Sequence, residues 1–454
     1  MGAHYFSASQ RRSFDKFTDS VEWPSNIGRL PRKLATKGGL RKADEFRRLI
    51  TILPIALWYV WRNDDDSVPD SAEPIPEDSN YIEDHIRSRQ KILDLTILLS
   101  AASRLLTSWS ITLDDVRHGQ TLLQRYCQGL LRLAIHLKPN HHFSMHYERY
   151  FRLFGPVYAW WLFAYERFNG MLEKVQINCH PEDYETILAR FWTRRHRLHE
   201  LVEFLPDDAS ERERAIINDM CESVGNRGTL LAIEAMLARE TRYTTGKQAY
   251  KPVDLHSIKS VSGLYFLMLD FARTCWPDLE LTSDQEPAPG GYPFIYDRVA
   301  EVLPFVYRNG LKFGCATAKR TQADKFAFVK FGNSLVPSQI DYLFRLTVGD
   351  KEPRLCAVVS PMVADDALPT MPWDEYALEL GTFTAYADRF STFRVVAIEQ
   401  IIAPMALCRL QARSQTYPHS LMDLWIAILY DRTDTEECDA ETEEQEEDES
   451  AEIS

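Results

Sequence analysis

Apolar residues in this chain follow two different periods, and the change from one to the other constrains the fold more than any other feature. Up to about residue 282 they recur at three- and four-residue spacing, as in ILDLTILLSAASRLL and VRHGQTLLQRYCQGLLRLAIHL, which predicts amphipathic helices. After the Pro/Gly-rich stretch SDQEPAPGGYP (283–293) they fall into short β-type runs, FAFVKF, IDYLFRLTV, RLCAVVS and FRVVAIEQII, separated by polar loops. The expected class is α+β, with a mainly helical N-terminal two-thirds followed by a small β-rich domain over 294–430, built as a twisted sheet or barrel.

Finer divisions follow from composition. Residues 1–61 combine a short helix, the loop VEWPSNIGRLPRKLATKGG, whose Pro and Gly residues favour an irregular path, and a helix over 42–61. The run RNDDDSVPDSAEPIPEDSN (62–80) is acidic and Pro-rich, which predicts an exposed linker or insertion before a helical region over 81–282. Within that region Thr112 followed by Asp115 predicts a capping box at a helix start, and Asp114 and Asp115 suit the positive end of the helix dipole. Residues 432–454 form an acidic tail too poor in large apolar side chains to fold, so disorder is expected there.

The formal charge is −14, but residues 433–454 contain twelve Asp or Glu and no Lys or Arg, so the rest of the chain is nearly neutral and free to form local basic faces. Eight cysteines are scattered without a CxxC pair, which argues against a zinc ribbon or a disulfide scaffold and fits a reduced intracellular compartment. The most apolar stretch, Leu49 to Trp61, is too short to span a bilayer.

The most distinctive segment is LKPNHHFSMHYERYFRLFGPVYAWWLFAYERFNGMLEKVQINCH (137–180). His142 and His146 are four apart, a spacing that places two imidazoles together on one helix face, either as a structural hydrogen-bonded pair or as two ligands of one metal. Glu166 interrupts an aromatic run, so its carboxylate needs a partner: Arg167 in an ion pair, or a divalent cation. Two basic clusters stand out: Arg29, Arg32, Lys33, Lys37, Arg41 and Lys42 in the first loop, and Arg190, Arg194, Arg195 and Arg197 near His196 and His199. On a helix Arg190, Arg194 and Arg197 share a face, which suits phosphate contact. Trp160 and Trp161 read as core rather than as a stacking platform for bases, and neither Gly38-Gly39 nor Gly290-Gly291 sits in a phosphate-loop context.

PNHHFSMH, FGPVYAWWLFAYERFNGML, WPSNIGRLP and KADEFRRLITILPIALW resemble the C-terminal region of transposases from CACTA-type elements and their Plavaka-like relatives in mushroom-forming fungi. ADKFAFVKF, PSQIDYLFRL and MPWDEYALELGTFTAYAD resemble the distal part of the same proteins, so the resemblance runs in order from the first residues to about residue 430. It implies an RNase H-like core with a helical insertion, in which three carboxylates hold two Mg²⁺ or Mn²⁺ ions for phosphoryl transfer. By position and context Glu166 is the candidate third acid and metal ligand. The family's first two acids lie upstream of the region matched, so the chain is expected to be a transposase part that does not cut DNA alone. A missing N-terminal half or self-association would complete it, and the resemblance implies work in the nucleus. The alternative expectation is a non-catalytic DNA- or chromatin-binding protein derived from a transposase.

Overall fold

The computed structural model describes residues 5–25, 27–37, 39–40, 43–72, 85–108, 110–162, 169, 172, 175–177, 180–203, 209–214, 243–244, 252–286, 289–308, 311–411 and 422–430. The class is α+β, as expected from the two periods. The described residues form two compact units, one within Met1–Leu153 and Thr241–Glu437, the other within Phe154–Glu240.

The first unit opens with helices α1 (Ala8–Asp19), α2 (Ala43–Trp61), α3 (Arg89–Leu106) and α4 (Leu113–Arg132), then the short α5 (Pro139–Ser144) and α6 (Tyr147–Phe154). Helix α2 is apolar on most sides because it is buried on most sides: Ile52, Ile55, Ala56, Leu57, Trp58, Val60 and Trp61 all lie in the core. It carries Pro54, which has no N–H to give the carbonyl of Ile50 one turn back. The hydroxyl of Ser100, buried on α3, donates to that carbonyl at 2.7 Å. Helix α4 begins with the expected capping box, in which Thr112 accepts from the Asp115 N–H while the Asp115 carboxylate accepts from the Thr112 N–H. It lies close against α3 because Gly129 leaves room for Leu95; an added Cβ would sit 2.1 Å from Leu95 Cδ2.

The second unit contains single 3₁₀ turns at Val157–Ala159 and Pro181–Asp183, the latter leading directly into α7 (Tyr184–Glu203). Returning to the first unit, the chain forms β1 (Tyr243–Thr244), α8 (Leu264–Cys275), β2 (Leu281–Ser283) and β3 (Tyr292–Phe294). It continues through β4 (Ala300–Leu303), β5 (Phe305–Arg308), β6 (Leu311–Gly314), β7 (Phe326–Phe331), β8 (Ser334–Leu346) and β9 (Arg354–Pro361). The last elements are α9 (Ala377–Leu380), β10 (Thr382–Tyr386), β11 (Arg394–Ala397), β12 (Ile401–Leu410) and β13 (Leu424–Leu429).

The main sheet has the order β10-β13-β12-β7-β8-β9-β11, with β4 also paired to β8, and every pairing in it is antiparallel. Long strand β8 serves three neighbours: β7 pairs with its first half, β4 with its last turn of residues, and β9 with most of its length. Its apolar residues alternate between two cores. Phe344 and Leu346, with Cys356 and Val358 of β9, pack under α8 against Tyr265, Met268 and Leu269. Ile340 and Leu343, with Ala357 and Val359, face Val306, Leu311 and Phe313 instead. Covering both faces explains why these strands read as nearly unbroken apolar runs.

Three packing observations bear on the expected domain limits. Helix α8 packs with the sheet rather than with the helices before it, since Tyr265, Met268 and Leu269 share a core with Phe344, Leu346, Cys356 and Val358. The N-terminal helices also join the sheet: Glu22 and Leu407 exchange backbone hydrogen bonds at 3.0 Å each, Trp58 meets Trp373 edge-on, and Arg104 donates to the carbonyls of Glu379 and Leu429. The described part of the acidic 62–80 stretch is not a free linker. Asp66 pairs with buried Arg62 at 2.9 Å, Arg62 also donates to the Gln411 carbonyl, and Asp70 accepts from Ser88, the N-cap of α3. The five described cysteines (Cys127, Cys275, Cys315, Cys356 and Cys408) are free thiols. No described helix is long and apolar enough to cross a membrane.

Candidate nucleic-acid interface

Helix α7 starts where the sequence concentrates acids. Glu182 and Asp183 occupy the preceding turn and Glu185 the first turn of the helix, where negative charge meets the positive end of the dipole. Beyond them the charge reverses. Arg190, Arg194 and Arg197 recur at four- and three-residue steps, so they stand on successive turns of one face, and all three are exposed. With Glu185, Thr186, Ala189 and Thr193 they line an open cleft of about 600 Å³. The half-buried Ile187, Leu188 and Phe191 fall on a different side of the helix. Among the described residues no carboxylate is within ion-pair distance of any of these three arginines. An exposed cationic row of this kind presents guanidinium forks shaped for phosphate oxygens. Arg195 belongs to the same helix, and its side chain lies outside the described residues.

The sequence alone did not single out Thr186 and Thr193, although the signal was present. Thr186, Arg190, Thr193 and Arg197 follow one another at helical steps, so the hydroxyls alternate with the guanidinium groups along the cleft.

The second basic cluster lies in the first unit. Arg29, Arg32, Lys33 and Lys37 are exposed and, among the described residues, unpaired, whereas Arg41 and Lys42 lie outside the described residues. The loop that carries them is anchored at both ends by buried carboxylates. Asp15 accepts from the Ala35 N–H at 2.6 Å and the Thr36 hydroxyl at 2.5 Å, and Asp324 accepts from the Ser25 N–H at 2.7 Å and the Ser25 hydroxyl at 2.8 Å. Lys33 sits at φ 58° and its carbonyl accepts from both Thr36 and Lys37, closing the turn. Leu30 and Leu34 point into the core, which leaves the cations outward.

His142 and His146 are brought together, with their Nε2 atoms 3.4 Å apart. Glu166 and Arg167 lie outside the described residues. Among the described residues no three His, Cys, Asp or Glu side chains converge as a metal site, so these residues do not assemble the oxygen set that a hard dication needs. Asp114 and Asp115 are used locally: Asp114 pairs with Arg117 at 2.7 Å, and hydrogen bonds from the Thr112 hydroxyl and N–H hold the Asp115 carboxyl below its ordinary range. Trp160 and Trp161 are half-buried, the former donating to the Gly155 carbonyl at 3.0 Å.

A polar cluster that the sequence reading missed sits at the bulge of β8, between Ile340 and Tyr342. There Asp341 is the extra residue, and its carboxylate accepts from Gln339 at 2.8 Å and Ser360 at 2.5 Å. Burial pushes this carboxyl up, against the lowering by those two hydrogen bonds. An acid inside an apolar strand, IDYLFRL, was the available signal. No protein-family model, curated protein or solved structure matches the chain.

Proposed function

We propose that the chain is a transposon-derived protein, the C-terminal part of a fungal CACTA/Plavaka-like DNA transposase, and that it engages the DNA backbone through α7. The observation that carries the contact is the exposed row of Arg190, Arg194 and Arg197 along its cleft, unpaired among the described residues. Residues seven apart on a helix are separated by ~10 Å along the axis, about three base-pair steps of one strand, so a single helix face can follow consecutive phosphates. The ordered strings resembling the fungal transposases support the family assignment.

In this reading the helices belong to the helical insertion of an RNase H-like core, and the protein works in the nucleus. A complete family member would cut DNA with two Mg²⁺ or Mn²⁺ ions, Glu166 supplying one carboxylate. The DNA-contacting role does not depend on that chemistry, and it is shared by the alternative of a non-catalytic DNA- or chromatin-binding derivative.

Fluorescence anisotropy with a short duplex tests the contact. The full chain binds with a log–log salt slope near −0.9 per phosphate engaged, and replacing Arg190, Arg194 and Arg197 together by Gln makes the slope shallower by about 2–3. An unchanged affinity and slope in the triple variant overturns the assignment of α7.

A further inference from the structure

We propose that His142 and His146 form a two-nitrogen chelate for a borderline divalent transition-metal cation, of the Zn²⁺ or Cu²⁺ class, with water completing the coordination. Their Nε2 atoms are 3.4 Å apart, and the rings stand nearly perpendicular, at 82° with centroids 5.0 Å apart. That separation lies at the long end of the hydrogen-bond range. It matches two imidazole nitrogens each ~2.0–2.1 Å from one tetrahedral metal, whose mutual distance is then about 3.4 Å.

The backbone holds the pair. His142 lies in α5, and the turn after it keeps helical phase because the Met145 N–H donates to the His142 carbonyl at 3.0 Å and the His146 N–H to the Phe143 carbonyl at 3.1 Å. The Tyr150 N–H then donates to the His146 carbonyl at 3.1 Å, tying the second histidine to α6. Both histidines are exposed, so a hydrated cation can enter without rearrangement. Neighbouring His141 is otherwise engaged: its Nδ1 accepts from the Lys138 N–H at 2.9 Å and its ring meets Tyr126 edge-on.

Among the described residues no third His, Cys, Asp or Glu joins the pair, so two positions remain open. Imidazole donors select Zn²⁺ and Cu²⁺ over Mg²⁺, which seeks oxygen. The chelate is therefore independent of the oxygen-ligand chemistry implied by the transposase resemblance, and it stands or falls apart from the α7 contact.

The test uses the full chain with Cu²⁺ and Zn²⁺ as probes. Electron paramagnetic resonance at one equivalent of Cu²⁺ shows coupling to two nitrogens. In His142→Ala and in His146→Ala that signature is lost and affinity for both metals falls at least about tenfold, since loss of even an outer hydrogen-bond partner of a ligand costs 10–100-fold. Melting temperatures of the metal-free variants stay at the wild-type value because both side chains are exposed. Zn²⁺ raises the melting temperature of the wild-type chain and of neither variant. Cu²⁺ or Zn²⁺ affinity that is unchanged in both variants overturns the proposal, as does a wild-type chain that binds neither metal.

Discussion

Asp15 and Asp341 are both carboxylates inside the first unit, and their surroundings give them opposite uses. Asp15 satisfies a backbone N–H and a hydroxyl of the cationic loop, so Asp15→Ala leaves the half-buried Ala35 N–H without its acceptor. The expected loss is about 1–3 kcal/mol, read as a lower melting temperature, with faster tryptic cleavage after Arg32 and Lys33 as the loop loosens. Wild-type stability and cleavage in the variant would show that Asp15 does not hold the loop. Asp341 carries a cost instead. Its folded carboxyl takes a proton more readily than the unfolded one, so the folded state is favoured as pH falls through the raised value toward the ordinary carboxylate range. Against Asp341→Asn, which cannot titrate, the wild-type melting temperature should therefore gain between about pH 7 and about pH 4. A difference that stays constant over that range contradicts this account. Neither role was readable in the sequence, because Asp15 depends on a loop twenty residues on and Asp341 on a bulge paired with another strand.

Among elements, α2 shows how a local fault is repaired from a distance. Pro54 would break an isolated helix, yet α2 runs unbroken from Ala43 to Trp61, and the Ser100 hydroxyl accounts for the carbonyl that the proline leaves over. Ser100→Ala should lower stability by about 1–3 kcal/mol, while Ser103→Ala on the same helix should change it far less, since Ser100 is buried and the exchange removes the donor to the Ile50 carbonyl. Equal melting temperatures for the two variants would deny Ser100 this part. The capping box of α4 was legible beforehand because all its atoms lie within four residues. The Gly129 notch that seats Leu95 was not, since it has meaning only once α3 and α4 are packed.

For the whole molecule, charge distribution carries the functional reading. The acids within 433–454 account for most of the net charge, and in the proposed DNA-contacting role they compete with phosphate for the basic faces. Deleting residues 433–454 should tighten duplex binding at low salt and leave it little changed at high salt, where screening removes the competition. Binding that is the same with and without the segment, at every ionic strength, rules out masking. The sequence by itself determined the α+β class, the extent of α2, the cap of α4, strands β7 and β9 with most of β8, and the arginine face of α7, because each follows from residue types a few positions apart; it ran β11 and the start of β12 together as one run and did not single out β10 or β13. Only the tertiary structure decided that the N-terminal helices and α8 share a unit with the sheet, that Thr186 and Thr193 line the arginine cleft, and that two histidine nitrogens lie 3.4 Å apart. Those outcomes depend on which buried surfaces find cover, or on side-chain placement in space, and neither is written in local periodicity.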